Sequence, residues 1–393
     1  MESIKDKVAI VGMGCTKFGE RWDKSREDLI VDATYEALAD AGIERKDIQA
    51  AWVGTQWSNQ SGRTISAPLK LPYIPVTRVE NMCATGSDAL RNACYAVAAG
   101  AYDIVLVVGI EKLKDTGFSG LPNIDYQLDP ALVDPDMTGP SMFALLGSKY
   151  FSHYGLSAEE GKKTLAKIAV KNHHNGSMNP RAHFQREITL EQAMNAPIIA
   201  WPLGLFDCCG VSDGSAAAIV VRADMARKFR NDPVYIKALS LIAGPAEGGM
   251  RPEFDFMHIE ENVRAAQSAY AQAGIKDPFK ELSLAEVHDC FTITEMVIYE
   301  DLGFCPRGRA KEYIDSGAFE LEGELPVNPD GGLKCFGHPI GASGLRMMFE
   351  VYKQLQGKAE SHARQLKNPT LGLTHNLGGD ARGCIVSCNI AGL

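Results

Sequence analysis

The chain contains no apolar run near the roughly 18 residues that a bilayer-spanning helix needs, and Lys5, Asp6 and Lys7 interrupt its beginning before a signal-peptide core can form. It has no basic excess either: 40 Lys and Arg face 49 Asp and Glu, a net charge of -9. A footprint on nucleic-acid phosphates needs a basic face. Neither nucleic acid nor membrane is therefore expected as a partner, and the expected location is the cytoplasm. Zinc-binding spacing is missing as well. The ten cysteines, at 15, 83, 94, 208, 209, 290, 305, 335, 384 and 388, include no C-x2-C pair backed by a second pair or by histidines. Their irregular spacing in a large chain speaks for reduced thiols rather than a disulfide frame, and no metal is expected.

What is present is enough apolar material for a large core. Hydrophobic residues make up 45% and charged residues 23% of 393 residues, an average globular balance in a chain too long for one simple domain. Residues 33–55, ATYEALADAGIERKDIQAAWVGT, read as an alanine-rich amphipathic helix, a glycine stop and a strand. The run from Ala265, AAQSAYAQAGIKDPFKELSLAEVHDC, repeats that pattern with the same Ala-Gly-Ile stop. A β-rich stretch precedes each helix, at Val8–Gly12 and at Val234–Leu241, so β-α-β occurs twice and the fold is α/β with an internal duplication. Second helices follow at 86–100 and 343–357. The segment from 114 to 204 has another texture, rich in Pro, Asp, His, Asn and Met, and reads as an inserted loop domain. The expected division is 1–113 with about 205–230 as one half, 114–204 as the loop domain and 231–393 as the other half.

Four side chains stand where chemistry is expected. Cys83, in ENMCATGSDALRN, heads a helix, and the unpaired amides and dipole of a helix N-terminus favour a nucleophilic thiolate; a cysteine there also packs as a plain apolar residue. His338 lies in NPDGGLKCFGHPIGASGLR, whose glycines allow backbone to approach a ligand, and an imidazole is the usual acceptor of a thiol proton. His288 and Cys290, two apart in EVHDCFTITE, follow a strand at the end where α/β sheets collect ligands. Cys290 would suit a proton-transferring thiol and His288 a hydrogen-bond donor to a developing enolate. In THNLGGDARGCIVSCNI, read as strand, Gly-Gly turn and strand, the amides of Gly378 and Gly379 would join that of Cys83 in an oxyanion hole.

Taken together, Cys-Ala-Thr-Gly at 83–86, Gly-His-Pro-x-Gly-Ala-Ser-Gly at 337–344 and the duplicated halves resemble the thiolase superfamily across essentially the whole chain. Familiar thiolases carry Asn-Glu-Ala-Phe where this chain has His288-Asp289-Cys290-Phe291, and a C-terminal Cys-x-Gly that is absent here. The chain is instead similar to the sterol-carrier-type and archaeal-type thiolases, so Cys384 is not the second thiol. The resemblance implies two βαβαβαββ halves in five αβαβα layers. It implies a Cys83 acyl-enzyme activated by His338, a thioester oxygen held by His288 and His338, a proton moved by Cys290, and a tetrahedral oxyanion on the amides of Cys83 and Gly379. It implies an acyl-CoA substrate with coenzyme A as co-substrate, no permanently bound cofactor, a homodimeric core, and a small zinc-ribbon/OB-fold partner subunit.

Substrate choice points two ways: toward the subgroup whose thiolase subunit cleaves benzoylsuccinyl-CoA in aromatic breakdown, and toward acetoacetyl-CoA. Trp57, Phe118, Met142 and Trp201 are the candidate acyl-pocket lining, and Lys149, Lys162 and Lys163 the candidates for the CoA phosphates. A decarboxylating ketoacyl synthase shares the fold and a Cys-His-His set, but the thiol of Cys290 has no part there. A non-catalytic scaffold of the same fold would make the complete reactive set a coincidence.

Overall fold

The computed structural model describes residues 3–117, 138–245 and 255–393; the pocket candidate Phe118 falls outside them. Nine strands form one mixed sheet: β1 (Val8–Cys15), β2 (Ala50–Gly54), β3 (Val76–Val79), β4 (Ile104–Glu111), β5 (Gly214–Arg222), β6 (Val234–Ala243), β7 (Leu284–Glu286), β8 (Leu371–Asp380) and β9 (Gly383–Gly392). Their order is β3-β2-β4-β5-β1-β6-β9-β8-β7. The helices that shape the molecule are α1 (Arg26–Ala41), α2 (Thr85–Ala98), α3 (Gly139–Tyr154), α4 (Ala158–Ser177), α5 (Glu260–Ala273), α6 (Thr292–Asp301), α7 (Gly332–Phe336) and α8 (Ile340–Leu355).

The strand order is the duplication made visible. Counting outward from the centre, β1-β5-β4-β2 is repeated as β6-β9-β8-β7, with the same alternation: two antiparallel steps, then a parallel one. Outermost β3 is parallel to β2; its counterpart is a single parallel bridge from Ala285 to Val327. The two half-sheets are sewn together by the short antiparallel pairing of Ala9 with Tyr235 and Ile10 with Val234. The Ala-Gly-Ile stops end α1 and α5 because Gly42 (φ 68°) and Gly274 (φ 84°) take the left-handed conformation that closes a helix C-terminus and that a Cβ disfavours.

Side-chain alternation builds the layers. Leu106 and Val108 of β4 pack with Leu29, Ile30 and Ala33 of α1 on the outer face. Val105 and Val107 point inward to a second cluster with Leu90 of α2 and Leu345 and Met348 of α8, which continues into Ile236 and Leu284 of the other half-sheet. Helices α2 and α8 therefore form a shared middle layer, and α5 covers β6 and β9 from outside, giving five layers. Helices α3 and α4, from the inserted segment, pack over α6. Among the described residues no helix is long and apolar enough to cross a membrane.

Candidate active site

Cys83 stands on a tight turn just before α2. The residue before it, Met82, holds a left-handed backbone (φ 49°), uncommon for a side chain of that size. The first turn of the helix fixes the loop: Asn81 donates its backbone N–H to Thr85 Oγ1 (2.9 Å) and its side-chain amide to the buried Asp88 carboxylate (2.6 Å). Strand β8 passes directly over the turn. A Cβ on Gly378 would lie 2.8 Å from the Cys83 nitrogen, so only glycine fits. Gly378 and Gly379 are not the hairpin turn the sequence suggested. They are ladder residues of β8, paired with Ile385 and Cys384, and the chain reverses after Asp380. Gly379, at φ 110°, directs its N–H to the Cys83 sulfur, as does the amide of Cys83 itself.

A helix tip alone would lower the thiol pKa, but the structure reverses the sign. Burial pushes the Cys83 thiol up to about 12, and the two amides only partly offset it. The resting group is a neutral thiol, so its proton needs an acceptor.

That acceptor is within reach. Gly337 (φ 76°) turns the chain before His338, and a Cβ there would lie 1.9 Å from Ser212 Oγ. The His338 amide donates to Gly210 O (3.0 Å). Its ring Nδ1 lies 2.8 Å from Ser343 Oγ, and that hydroxyl donates its own hydrogen to Pro339 O at 3.1 Å. Having one hydrogen, the hydroxyl must accept from Nδ1–H, which leaves Nε2 as the basic nitrogen. Nε2 is fully buried and has no hydrogen-bond partner among the described residues. Burial, and secondarily the Arg346 guanidinium, push His338 down to about 3.

His288 follows β7. Its ring meets that of His338 edge to face, with centroids 5.1 Å apart. Burial holds it well below the usual imidazole range, reinforced by His338, His375 and Arg346. Its Nδ1 is also buried without a partner among the described residues. One donor atom each from Cys83, His288 and His338 lie within 4.8 Å of one another. Cys290, buried with its sulfur 3.6 Å from Thr294 Oγ1, lies close enough to Cys83 and Cys209 to feel both; burial, chiefly, holds its thiol far up in the protonated range.

The frame around these groups was not anticipated. Asp289, between the two site residues of the His-Asp-Cys run, is fully buried and accepts from the amides of Leu333 (2.6 Å) and Lys334 (3.1 Å), tying His288 and Cys290 to the helix that leads into His338. Glu111 gathers the amides of Gln56 and Trp57, the hydroxyls of Thr55 and Ser58, and, across the interface between halves, the Gly341 amide at 3.2 Å. A lone acid closing an otherwise apolar strand was the available signal. Glycines of both motifs also serve packing. A Cβ on Gly86 would sit 2.6 Å from Gly341 O, and one on Gly344 2.6 Å from the Ser87 nitrogen, because α2 and α8 cross backbone to backbone at their N-termini.

The remaining candidates are placed elsewhere or differently. Lys162 is buried, with its ammonium paired to the buried Asp207, so it is committed to that carboxylate and does not reach for phosphate. Lys149 and Lys163 are exposed on α3 and α4. Trp57 and Trp201 are partly exposed at 40% and 53%. Met142 packs, half-buried, beside the cluster that holds Phe143, Cys290 and Phe291. A cavity of about 620 Å³ lined by Lys167, Lys171, His174 and Asn175 contains none of the four reactive residues.

Comparison with known proteins finds relatives along the whole length of the chain. Residues 8–224 match the model of the thiolase N-terminal domain, and residues 250–386 that of the thiolase C-terminal domain-like family. The acetyl-CoA acetyltransferase of Methanothermobacter thermautotrophicus is 39% identical over 379 residues, covering 95% of this chain and 96% of the relative. Sterol carrier protein 2 of Gallus gallus is 34% identical over 95% of this chain and 70% of its own length. The benzoylsuccinyl-CoA thiolase subunit BbsB of Thauera aromatica is 31% identical over 96% of both. Among solved structures, the Ltp2-ChsH2(DUF35) aldolase superposes with a TM-score of 0.85 at 26% identity, covering 100% of this chain and 99% of that one.

Proposed function

The chain belongs to the thiolase family of acyltransferases, and from that footing we propose that it cleaves a 3-oxoacyl-CoA thiolytically, or forms one in reverse, through an acyl-enzyme on Cys83. The observation that carries this is one thiol and two neutral imidazoles, each with a buried ring nitrogen that lacks a hydrogen-bond partner among the described residues, with one donor atom from each of the three side chains within 4.8 Å of the others.

In the cleavage direction the Cys83 proton passes to His338 Nε2 as sulfur attacks the keto carbon, and the amides of Gly379 and Cys83 receive the oxyanion. The C–C bond breaks toward the thioester, whose oxygen takes a hydrogen bond from His288 as it becomes an enolate. Cys290, a thiol held protonated by burial, gives the α-carbon its proton, so acetyl-CoA leaves when that carbon is a CH2. Free CoA then attacks the Cys83 thioester: its thiol proton goes to the Cys290 thiolate, His338 returns its proton to the departing Cys83 sulfur, and acyl-CoA is released. Each group is neutral at rest and charged only while the reaction passes.

Acetoacetyl-CoA is the substrate best supported, by the acetyl-CoA acetyltransferase at 39% identity. Benzoylsuccinyl-CoA is the second reading, resting on BbsB at 31%. A homodimeric core with a small partner subunit goes with it, since BbsB is itself a subunit and the superposed aldolase pairs with a DUF35 protein.

The test is to supply each thioester to the purified chain with and without CoA, and to weigh the intact protein. CoA-dependent cleavage and an acyl adduct on Cys83, both absent in Cys83→Ala, are expected. Cleavage that needs no CoA, with the acyl group passing to water, would make the chain a hydrolase, and carbon dioxide release from a malonyl donor a synthase; either outcome refutes the thiolase reading.

A further inference from the structure

The three donors at the site are also a soft metal-ligand set. We propose that Cys83, His288 and His338 bind one Zn2+, or a cation of similar softness, and that its occupancy reversibly switches the enzyme off. This regulatory reading rests on the assignment of Cys83 as nucleophile.

Three observations carry it. First, one sulfur and two ring nitrogens, drawn from the turn before α2, the loop after β7 and the loop before α8, lie within 4.8 Å of one another. Tetrahedral zinc, with Zn–S near 2.3 Å and Zn–N near 2.0–2.1 Å, needs its donors about 3.4–3.6 Å apart. The donor atoms have to close by about 1.4 Å at most. Second, His338 Nε2 is buried and lacks a hydrogen-bond partner among the described residues, as does one ring nitrogen of His288, so a cation on His338 Nε2 displaces no existing bond. Third, the outer contact that metal-binding histidines require is already built: Ser343 Oγ accepts from Nδ1–H, fixing the tautomer and turning Nε2 inward.

Donor chemistry selects the ion. A thiolate with two imidazoles suits zinc and its soft neighbours, and no carboxylate joins the set, so Mg2+ and Ca2+ are poor occupants. Both imidazoles are held neutral, the form that ligates. The step balances without redox: the Cys83 S–H bond breaks, its proton leaves to water, and an S–Zn bond forms. Three protein ligands leave a fourth position for water, the pattern of an open zinc site. Access runs over the sulfur, since Cys83 keeps 6% exposure while His338 has none. With its lone pair coordinated, sulfur cannot attack a keto carbon, and His338 cannot accept the proton.

The full-length chain, freed of metal with EDTA, should be titrated with Co2+ as the spectroscopic probe and with Zn2+ as the inhibitor. Expected results are one Co2+ per chain with a sulfur-to-cobalt charge-transfer band, thiolysis lost in parallel with Zn2+ occupancy and regained with EDTA, and alkylation of Cys83 by iodoacetamide slowed at least about 10-fold. Mg2+ and Ca2+ should do none of this. Cys83→Ser should abolish the band, and Ser343→Ala should weaken binding about 10- to 100-fold while leaving the sulfur in place. No band, or Zn2+ bound equally well by Cys83→Ser, would overturn the proposal, the second by locating the metal elsewhere. Cobalt binding without thiolysis would leave the metal site standing and remove the enzymatic reading; thiolysis indifferent to Zn2+ would do the reverse.

Discussion

Ser343→Ala isolates the one hydrogen bond that decides which nitrogen of His338 is basic. In the native protein Nδ1–H donates to Ser343 Oγ at 2.8 Å in a site with no solvent exposure. Alanine removes that acceptor and leaves a buried N–H unsatisfied, at a cost of about 1–3 kcal/mol to the tautomer that the reaction needs. The other tautomer carries its proton on Nε2, facing Cys83, and loses no hydrogen bond with the serine. A shift of that size changes the tautomer ratio about 5- to 150-fold, and kcat/KM should fall by a similar factor. The loss should appear in kcat with KM nearly unchanged, because the serine touches no substrate. Steady-state thiolysis reads the split, and a single-turnover measurement of acylation at Cys83 should show the same deficit. A cavity left by one hydroxyl should hardly change the thermal midpoint. If kcat falls less than about threefold in a folded variant, the tautomer argument fails, and His338 is oriented by the backbone alone.

Two further outcomes follow from the same geometry. Because burial holds the Cys83 thiol at about 12, its thiolate fraction should grow tenfold for each pH unit, so the logarithm of its iodoacetamide alkylation rate should rise with a slope near one from pH 6 to 9; a plateau below pH 8 would show a preformed thiolate and refute the neutral resting state. Lys162→Met strands the Asp207 carboxylate, which also accepts from the Gly204 amide and the Thr292 hydroxyl. The chain should lose about 3–5 kcal/mol in denaturant unfolding with KM for CoA unchanged within twofold; a raised KM at native stability would return this lysine to phosphate binding.

How much of this was legible in the sequence depended on whether the cause was local. The helix stops at Gly42 and Gly274 were readable because a left-handed C-cap asks for glycine whatever the tertiary surroundings. The duplication was readable because each half repeats its own pattern. Cys83, His288, Cys290 and His338 could be picked out because each sits in a short run with its own composition, and the structure brings them to one place. What depended on distant partners was hidden. Lys162 looked like a surface cation until its helix met Asp207. Gly378-Gly379 looked like a turn because two glycines usually signal one, whereas here they let β8 pass over the Cys83 turn. Glu111 draws its donors from residues 55–58 and 341, a set no local window contains.

The sign of the Cys83 pKa is the clearest case, and it bears on how the site works. A helix N-terminus contributes about 1 kcal/mol or less, up to about 2, toward a nearby anion, whereas the two assembled halves place the sulfur and both imidazoles out of water. With the thiol at about 12 and His338 at about 3, a separated thiolate and imidazolium stand on the order of 12 kcal/mol above the neutral pair. Attraction between such charges, at the 4.8 Å that bounds their separation, returns only about 3–4 kcal/mol at an effective dielectric of 20, and remains well short of that gap at closer approach. The ion pair is therefore not a resting species. Proton transfer becomes favourable only together with bond formation to carbon, when the negative charge moves from sulfur onto the oxyanion and into the amides of Gly379 and Cys83. Burial thus keeps the nucleophile quiet toward water and oxidants, and it couples its activation to an electrophile already in position.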